Sequence, residues 1–365
     1  MTVPSSIFNS DNPVPTGKWP QVWVSIFLIL IFIILFLELT LQSRGWTPSL
    51  TDTKDLWAAQ RQKASALGNE AIILVGASRI QLGIDLDVLD QMTGRQTIQL
   101  AIDGNSFLPV MADLANDIQI TGTIIVSANT PGMLPYTNSD RAREWLDHYR
   151  ELSSEGFNPE PYRVINNRIK MLLGNYMVTR LYGAKPYTVL SRLLVTSNTS
   201  GNYMSIDTRR SIDADYTKVI MPDFYFERVR RNFGSHLLEG QVTYDQFLSA
   251  YQDAISAMTP VSNEPFMIAA AELAGYIDSI ESRGGSVILV HFPTDKLVWA
   301  METRQYPRSL FWNQLEEIHD KTVHFMDHPG LSGFDLPDGA HLDYRDKAGY
   351  TRELTRIITQ NNWLN

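Results

Sequence analysis

The chain predicts an α/β fold: a doubly wound, mostly parallel five-stranded sheet with a helical insertion, preceded by one transmembrane helix. Three observations carry this. Short apolar runs recur at 71–75, 97–102, 123–128, 286–292 and 323–326, and segments of helical apolar spacing lie between them. The runs are apolar along most of their length, as expected of strands covered by helices on both faces. A separate stretch, 22–41 (VWVSIFLILIFIILFLELTL), is too long and too aliphatic for a strand or an ordinary core helix.

The first 21 residues carry Pro and Ser and read as a flexible tail. The apolar run that follows would cross about 30 Å of hydrocarbon as a helix, broken only by Glu38 near one end. It is longer than a signal-peptide core and no small-x-small cleavage site follows Leu41, so a single membrane anchor is expected in place of a cleaved export signal. Lys18 before the span and Arg44 and Lys54 after it do not fix its orientation, while Trp19, Trp23 and Trp46 fit interfacial belts at the two ends.

Past the span, 51–67 reads as a helix capped by Thr51 or Asp52. The strand 71–75 then runs into Gly76, Ala77, Ser78 and Arg79. A helix over 85–92 and the strand 97–102 follow, ending at Asp103, Gly104 and Asn105. A helix over 107–117 leads to the strand 123–128, which stops at Asn129. The alternation resumes with a helix over 266–283 closed by Gly284 and Gly285, the strand 286–292, a helix over 309–319, the strand 323–326 and a last helix over 346–359. The folded domain is therefore split, 51–129 and 266–365.

The intervening 130–265 is too long for a loop and shows no strand-helix rhythm. It leaves the carboxyl end of a strand and reads as a mainly helical cap or lid. Within it Tyr162, Arg163, Arg168, Lys170, Tyr176, Arg180, Tyr182, Lys185 and Tyr187 interleave bases with aromatics, a surface suited to a sugar polymer, anionic headgroups or a protein, or simply to solvated arginines beside packed tyrosines.

The chain bears a formal charge of −9 and has no basic tail, which argues against a nucleic-acid partner. It has no cysteine, which removes thiolate chemistry and disulfides. No P-loop and no GxGxxG opening a helix is present, and no cofactor is expected. His324, Asp327 and His328 hint at a metal, but four residues along a strand span about 13 Å, too far for one ion. His291, after the fourth strand, lines the crevice or packs.

Ligands of open α/β sheets bind at the carboxyl ends of the strands. Ser78, Gly104 and Asn129 arrive there from the first three strands, and the loop after the fifth carries Asp338 and His341. Taken singly, these are a serine after a glycine turn and a polar Asp-x-x-His loop. Together they supply a nucleophile, a base and a carboxylate close enough to fix the base's tautomer.

These residues, Gly76-Ala77-Ser78-Arg79, Gly104, Asn129 and Asp338-Gly339-Ala340-His341, resemble the four blocks of SGNH/GDSL-type hydrolases in type and order. The resemblance covers 71–127 and 286–359 and implies a flavodoxin-like sheet. It also implies Ser78 as nucleophile, His341 as general base, Asp338 as its orienter, and an oxyanion hole from the N–H groups of Ser78 and Gly104 and the Asn129 amide. The third block departs from Gly-x-Asn-Asp, since Ser127-Ala128-Asn129-Thr130 stands there, so Asn105 is a rival donor. The overall plan is similar to anchored SGNH proteins that acylate envelope polysaccharides beside a multispanning acyltransferase. That implies an esterase or O-acyltransferase on the outer side of a bacterial inner membrane, acting on acyl, chiefly O-acetyl, esters. The competing expectation is an inactive scaffold of the same fold that binds polysaccharide or a membrane partner.

Overall fold

The computed structural model describes residues 17–154, 156, 161–180, 201–233 and 243–364. Its centre is an all-parallel five-stranded sheet of β1 (Ala71–Val75), β2 (Gln96–Gln99), β3 (Thr123–Ser127), β6 (Ser286–His291) and β7 (Thr322–His324), in the spatial order β2-β1-β3-β6-β7. A separate antiparallel hairpin, β4 (Met204–Ile206) with β5 (Ile212–Ala214), lies inside the insertion, where the sequence shows no strand rhythm.

Alternate residues of the same strands feed two cores. Ile73, Val75, Ile98, Ile124, Val126, Val287 and Leu289 pack with Trp57, Met111, Trp145, Leu273 and Trp312 on one face. Ile72, Leu74, Ile125, Ile288, Val290 and Val323 pack with Ile84, Leu89, Tyr350 and Leu354 on the other. Burial on both faces is why the central strands β1, β3 and β6 read as nearly continuous apolar runs. One layer of helices comprises Lys54–Leu67, Leu108–Asn116, Asp140–Ser154, Glu264–Glu281 and Trp312–Ile318; Leu86–Thr93 and Tyr344–Gln360 cover the other side.

Several expected boundaries shift. The helix after the apolar run starts at Lys54, not Thr51, and its cap is Thr53, whose side chain accepts the Leu56 N–H at 3.3 Å. Asp52 is engaged instead by Arg210, at 2.6 and 2.7 Å. β2 ends at Gln99, although the Leu100 and Ile102 N–H groups still reach Leu74 O and Gly76 O at 2.9 and 3.0 Å. β7 is short because His324 accepts the Met326 N–H and turns the chain into a 3₁₀ segment, Phe325–Asp327. The helix expected over 309–319 begins with a 3₁₀ turn and occupies Trp312–Ile318. A helix at Lys296–Gln305, capped by Asp295, was not foreseen: the consecutive apolar residues 297–301 hide its period.

The insertion divides its contacts. Asp140–Ser154 packs on Lys54–Leu67 and places Ala142, Trp145 and Leu146 in the first core. The hairpin and the helix Asp223–Phe233 stand at the carboxyl edge of the sheet. Of the basic-aromatic series, Lys170 and Tyr176 are exposed on the helix Pro161–Tyr176, while Tyr182, Lys185, Tyr187 and the side chains of Tyr162, Arg163, Arg168 and Arg180 lie outside the described residues, as does most of the expected N-terminal tail.

The N-terminal helix is Trp19–Ser43, 25 residues with a mean hydropathy of 3.0, long and apolar enough to cross a membrane. Most of its side chains are exposed, and near its end Glu38 and Leu41 are buried.

Candidate active site

β1 delivers Ser78 through a turn that only glycine fits. Gly76 has φ +150°, and a Cβ there would lie 2.7 Å from Ser127 Cβ and 2.9 Å from Ile80 Cγ2. Ser78 is the first residue of the short helix Ser78–Gly83, with its hydroxyl partly open to solvent.

The loop before Tyr344–Gln360 brings the base. His341 Nε2 lies 2.8 Å from Ser78 Oγ, and His341 Nδ1 lies 2.8 Å from Asp338 Oδ2. Asp338 Oδ1 accepts the N–H groups of Ala340 and His341 at 3.1 and 2.9 Å, locking the Asp-x-x-His turn. Gly339, at φ +90°, permits that turn. Asp338 and His341 are both buried, so the carboxylate orients the ring with Nδ1–H towards itself and Nε2 free to accept the serine proton. Burial pushes the Asp338 carboxyl upward, but the His341 charge and hydrogen bond, the Arg228 guanidinium and the Ala340 N–H outweigh it and hold the group well below the usual carboxylate range.

The three expected oxyanion donors are unspent. No acceptor among the described residues takes the N–H of Ser78 or of Gly104, and the Asn129 amide has no hydrogen-bond partner there. The rival Asn105 is committed locally: its Nδ2 donates to Asp103 O at 3.0 Å and its Oδ1 accepts the Ala142 N–H at 3.2 Å. Asn129 therefore stands as the better side-chain donor.

Two groups of neighbours escaped the sequence. Arg228, from the insertion, reaches Asp338 Oδ2 at 3.3 Å, and burial together with the nearby charge of Asp338 pushes the Tyr216 phenol up. Arg79, next to the serine, is buried with Nη2 2.6 Å from Glu302 Oε1, and Thr294 Oγ1 holds Glu302 Oε2 at 3.3 Å. The Gly-Ala-Ser-Arg string could have flagged Arg79; nothing local points to Arg228 or Tyr216.

His291 and His324 belong to a closed ring cluster with Trp299, Trp312 and Phe325, with 4.6 Å between the two imidazole centroids. Burial, reinforced for His291 by the charge of Arg79 and for His324 by His291, pushes each down to about 3. Asp327 pairs with Arg308 at 2.6 and 2.7 Å. An open cleft of about 570 Å³ borders the Asp338 side of the site, lined by Tyr216, Tyr225, Tyr244, Asp295, Asp335 and Arg345. The Tyr225 hydroxyl donates to Asp295.

Together the residues form a serine–imidazole–carboxylate relay at the carboxyl edge of a doubly wound parallel sheet. No family model matches the chain, and no curated protein matches it.

Proposed function

We propose that this chain is a membrane-anchored serine esterase or O-acyltransferase of the SGNH/GDSL type, acting on acyl esters, chiefly O-acetyl, of a cell-envelope polysaccharide. The observation that carries the reading is the unbroken relay from Ser78 Oγ through His341 to Asp338, 2.8 Å at each step. The strand order, equivalent to 2-1-3-4-5, is that of the flavodoxin-like sheet the family resemblance implies, with the relay in the carboxyl-edge crevice where such sheets bind ligands.

In the forward step the Ser78 hydroxyl gives its proton to His341 Nε2 as Oγ attacks the ester carbonyl. The carbonyl oxygen becomes an oxyanion facing the Ser78 and Gly104 N–H groups and the Asn129 amide, donors of a kind worth about 10²–10³ in rate each. Collapse breaks the bond to the alcohol oxygen, which takes the proton from His341 and leaves an acyl-serine. Water, or a sugar hydroxyl, then adds with His341 as base, and Ser78 regains its proton. The charge of Asp338 stabilises the transient imidazolium. The helix Trp19–Ser43 anchors the chain in the bacterial plasma membrane, with the catalytic domain on the extracytoplasmic side beside a multispanning acyl donor.

Ser78→Ala is expected to abolish both covalent labelling by a fluorophosphonate and turnover of an aryl acetate by the full chain. Labelling that survives the substitution refutes the assignment. Retention of residues 1–45 in the mature protein, read from its N-terminal sequence, separates an anchor from a cleaved signal.

A further inference from the structure

The apolar helix does not end in a free linker. Glu38, inside the apolar run, receives the backbone N–H groups of Val178 and Thr179 at 2.6 and 3.0 Å. Leu37, Leu41, Trp46 and Val178 close over that contact. Beyond it, Thr47 N–H donates to Asn202 Oδ1 at 2.8 Å, and Leu50 N–H to Ile206 O at 2.8 Å. The insertion thus grips the chain from Glu38, in the last turns of the helix, to Leu50. Glu38 lies three residues before Leu41, about 4–5 Å back along the axis. A carboxylate at that depth in a bilayer is tolerated only with its own partners, so the 178–179 backbone sits at the hydrocarbon boundary with it.

The helix Pro161–Tyr176 runs straight into this segment. Its inner side packs at Gly174, where an added Cβ would come 2.4 Å from Leu50 Cδ2. On the opposite side Ile169, Leu172 and Tyr176, spaced i, i+3, i+7 on one stripe, are 49%, 61% and 72% exposed. Tyr176 precedes Val178 by two residues, a reach of at most about 7 Å. An apolar stripe with a terminal tyrosine, level with the end of a membrane span, has the make-up of an interfacial helix.

We propose that the stripe Ile169–Leu172–Tyr176 lies in the head-group region of the bilayer that Trp19–Ser43 crosses, giving the domain a second, monotopic membrane contact. The proposal rests on the anchor reading and is independent of the catalytic one. The occupant is the lipid itself, entered to a depth of about 5–10 Å. The fixed grip on Glu38 holds the domain at one height above the membrane, in place of a tether.

The chain has no cysteine, so single-cysteine variants Ile169→Cys, Leu172→Cys and Tyr176→Cys of the full chain take one environment-sensitive fluorophore each. They are reconstituted in phosphatidylethanolamine–phosphatidylglycerol vesicles with and without brominated acyl chains. Phe32→Cys reports the span. Ile118→Cys is the aqueous control: its neighbour Asp117 pairs with Arg61 and Ser65, towards the end of Lys54–Leu67 away from the span. Brominated lipid is expected to remove most of the emission at 169, 172, 176 and 32 and none at 118. Quenching at 32 with none on the stripe overturns the proposal and leaves the anchor standing. No quenching at 32 removes the anchor reading and the proposal with it. Blue-shifted emission on the stripe without bromine quenching assigns it to protein, a second copy or the chain itself, and also overturns the proposal. Thermal melts matching the parent chain establish that each variant is folded.

Discussion

His291 and His324 stand at the carboxyl ends of β6 and β7, close to the relay yet outside it. Both are held neutral, pushed down to about 3 by burial and by the neighbouring charges of Arg79 and Arg308. In the unfolded chain each takes up a proton near pH 6.5, whereas in the folded chain it does not until near 3. Their contribution to stability is therefore complete above about pH 6.5 and declines as pH falls from there towards 3, by about 1.4 kcal/mol per pH unit for each imidazole. Asp338 acts over a lower window. Its depressed carboxyl adds stability above about pH 4 that is lost as pH falls further, so the two effects separate on the pH axis. His291→Phe keeps a flat ring against Trp299, Trp312 and Phe325 and removes one of the titrating groups. Urea denaturation between pH 4.5 and 6 is expected to show a slope of stability against pH smaller than the parent chain's by about one proton. An unchanged slope would mean that His291 is not the buried neutral group described.

At the scale of elements, the turn from β1 into Ser78–Gly83 positions the Ser78 hydroxyl against His341, and its tolerance is small. Gly76→Ala would force a methyl group against Ser127 and Ile80 at under 3 Å in a backbone conformation that L-residues avoid. The expected cost is about 2–3 kcal/mol in chemical denaturation, with fluorophosphonate labelling lost more than in proportion because Ser78 Oγ moves off His341. Such a turn is legible in a sequence: an apolar run, a glycine and a serine are consecutive, and the Asp338–His341 pair is likewise local. The central strands were legible for the same reason, since β1, β3 and β6 are apolar along most of their length, whereas the β4–β5 hairpin of the insertion was not. Caps and pairings made over long distances were not. Thr53 caps its helix while Asp52 is held by Arg210, 158 residues away, and Arg228 meets Asp338 across 110 residues. β7 ends early through the His324 side chain, and the apolar run 297–301 conceals which face of its helix is buried.

For the whole molecule, the decisive question is what joins the insertion to the sheet, because the insertion carries both the grip on the apolar helix and the Arg228 contact to Asp338. The main clamp is Arg210, fully buried at φ +63°. Its guanidinium forks onto Asp52, bonds Gln99 O and Ala101 O at 2.7 and 2.9 Å beyond β2, and lies 5.4 Å from the Trp145 ring centroid. Arg209 beside it reaches Asp87 and Asp90, and Lys347 ties Ile212 O and Asp213 to the last helix. Asp52→Ala leaves the fully buried Arg210 guanidinium without its carboxylate, at an expected cost of about 3–5 kcal/mol, while Arg210→Met leaves the partly exposed Asp52 unpaired. Arg210→Met also strands the two carbonyls and should be the worse of the two. Because the pair's charges are left unpaired only in the single variants, the double variant is expected to be less destabilised than the sum of the two, by about 1–3 kcal/mol of coupling. Aryl-acetate turnover measured on the folded fraction should fall with Arg210→Met, since the hairpin leads directly to Tyr216 and then Arg228. Additive costs, or full turnover in a folded Arg210→Met protein, would mean that the insertion holds its place over Asp338 without this clamp.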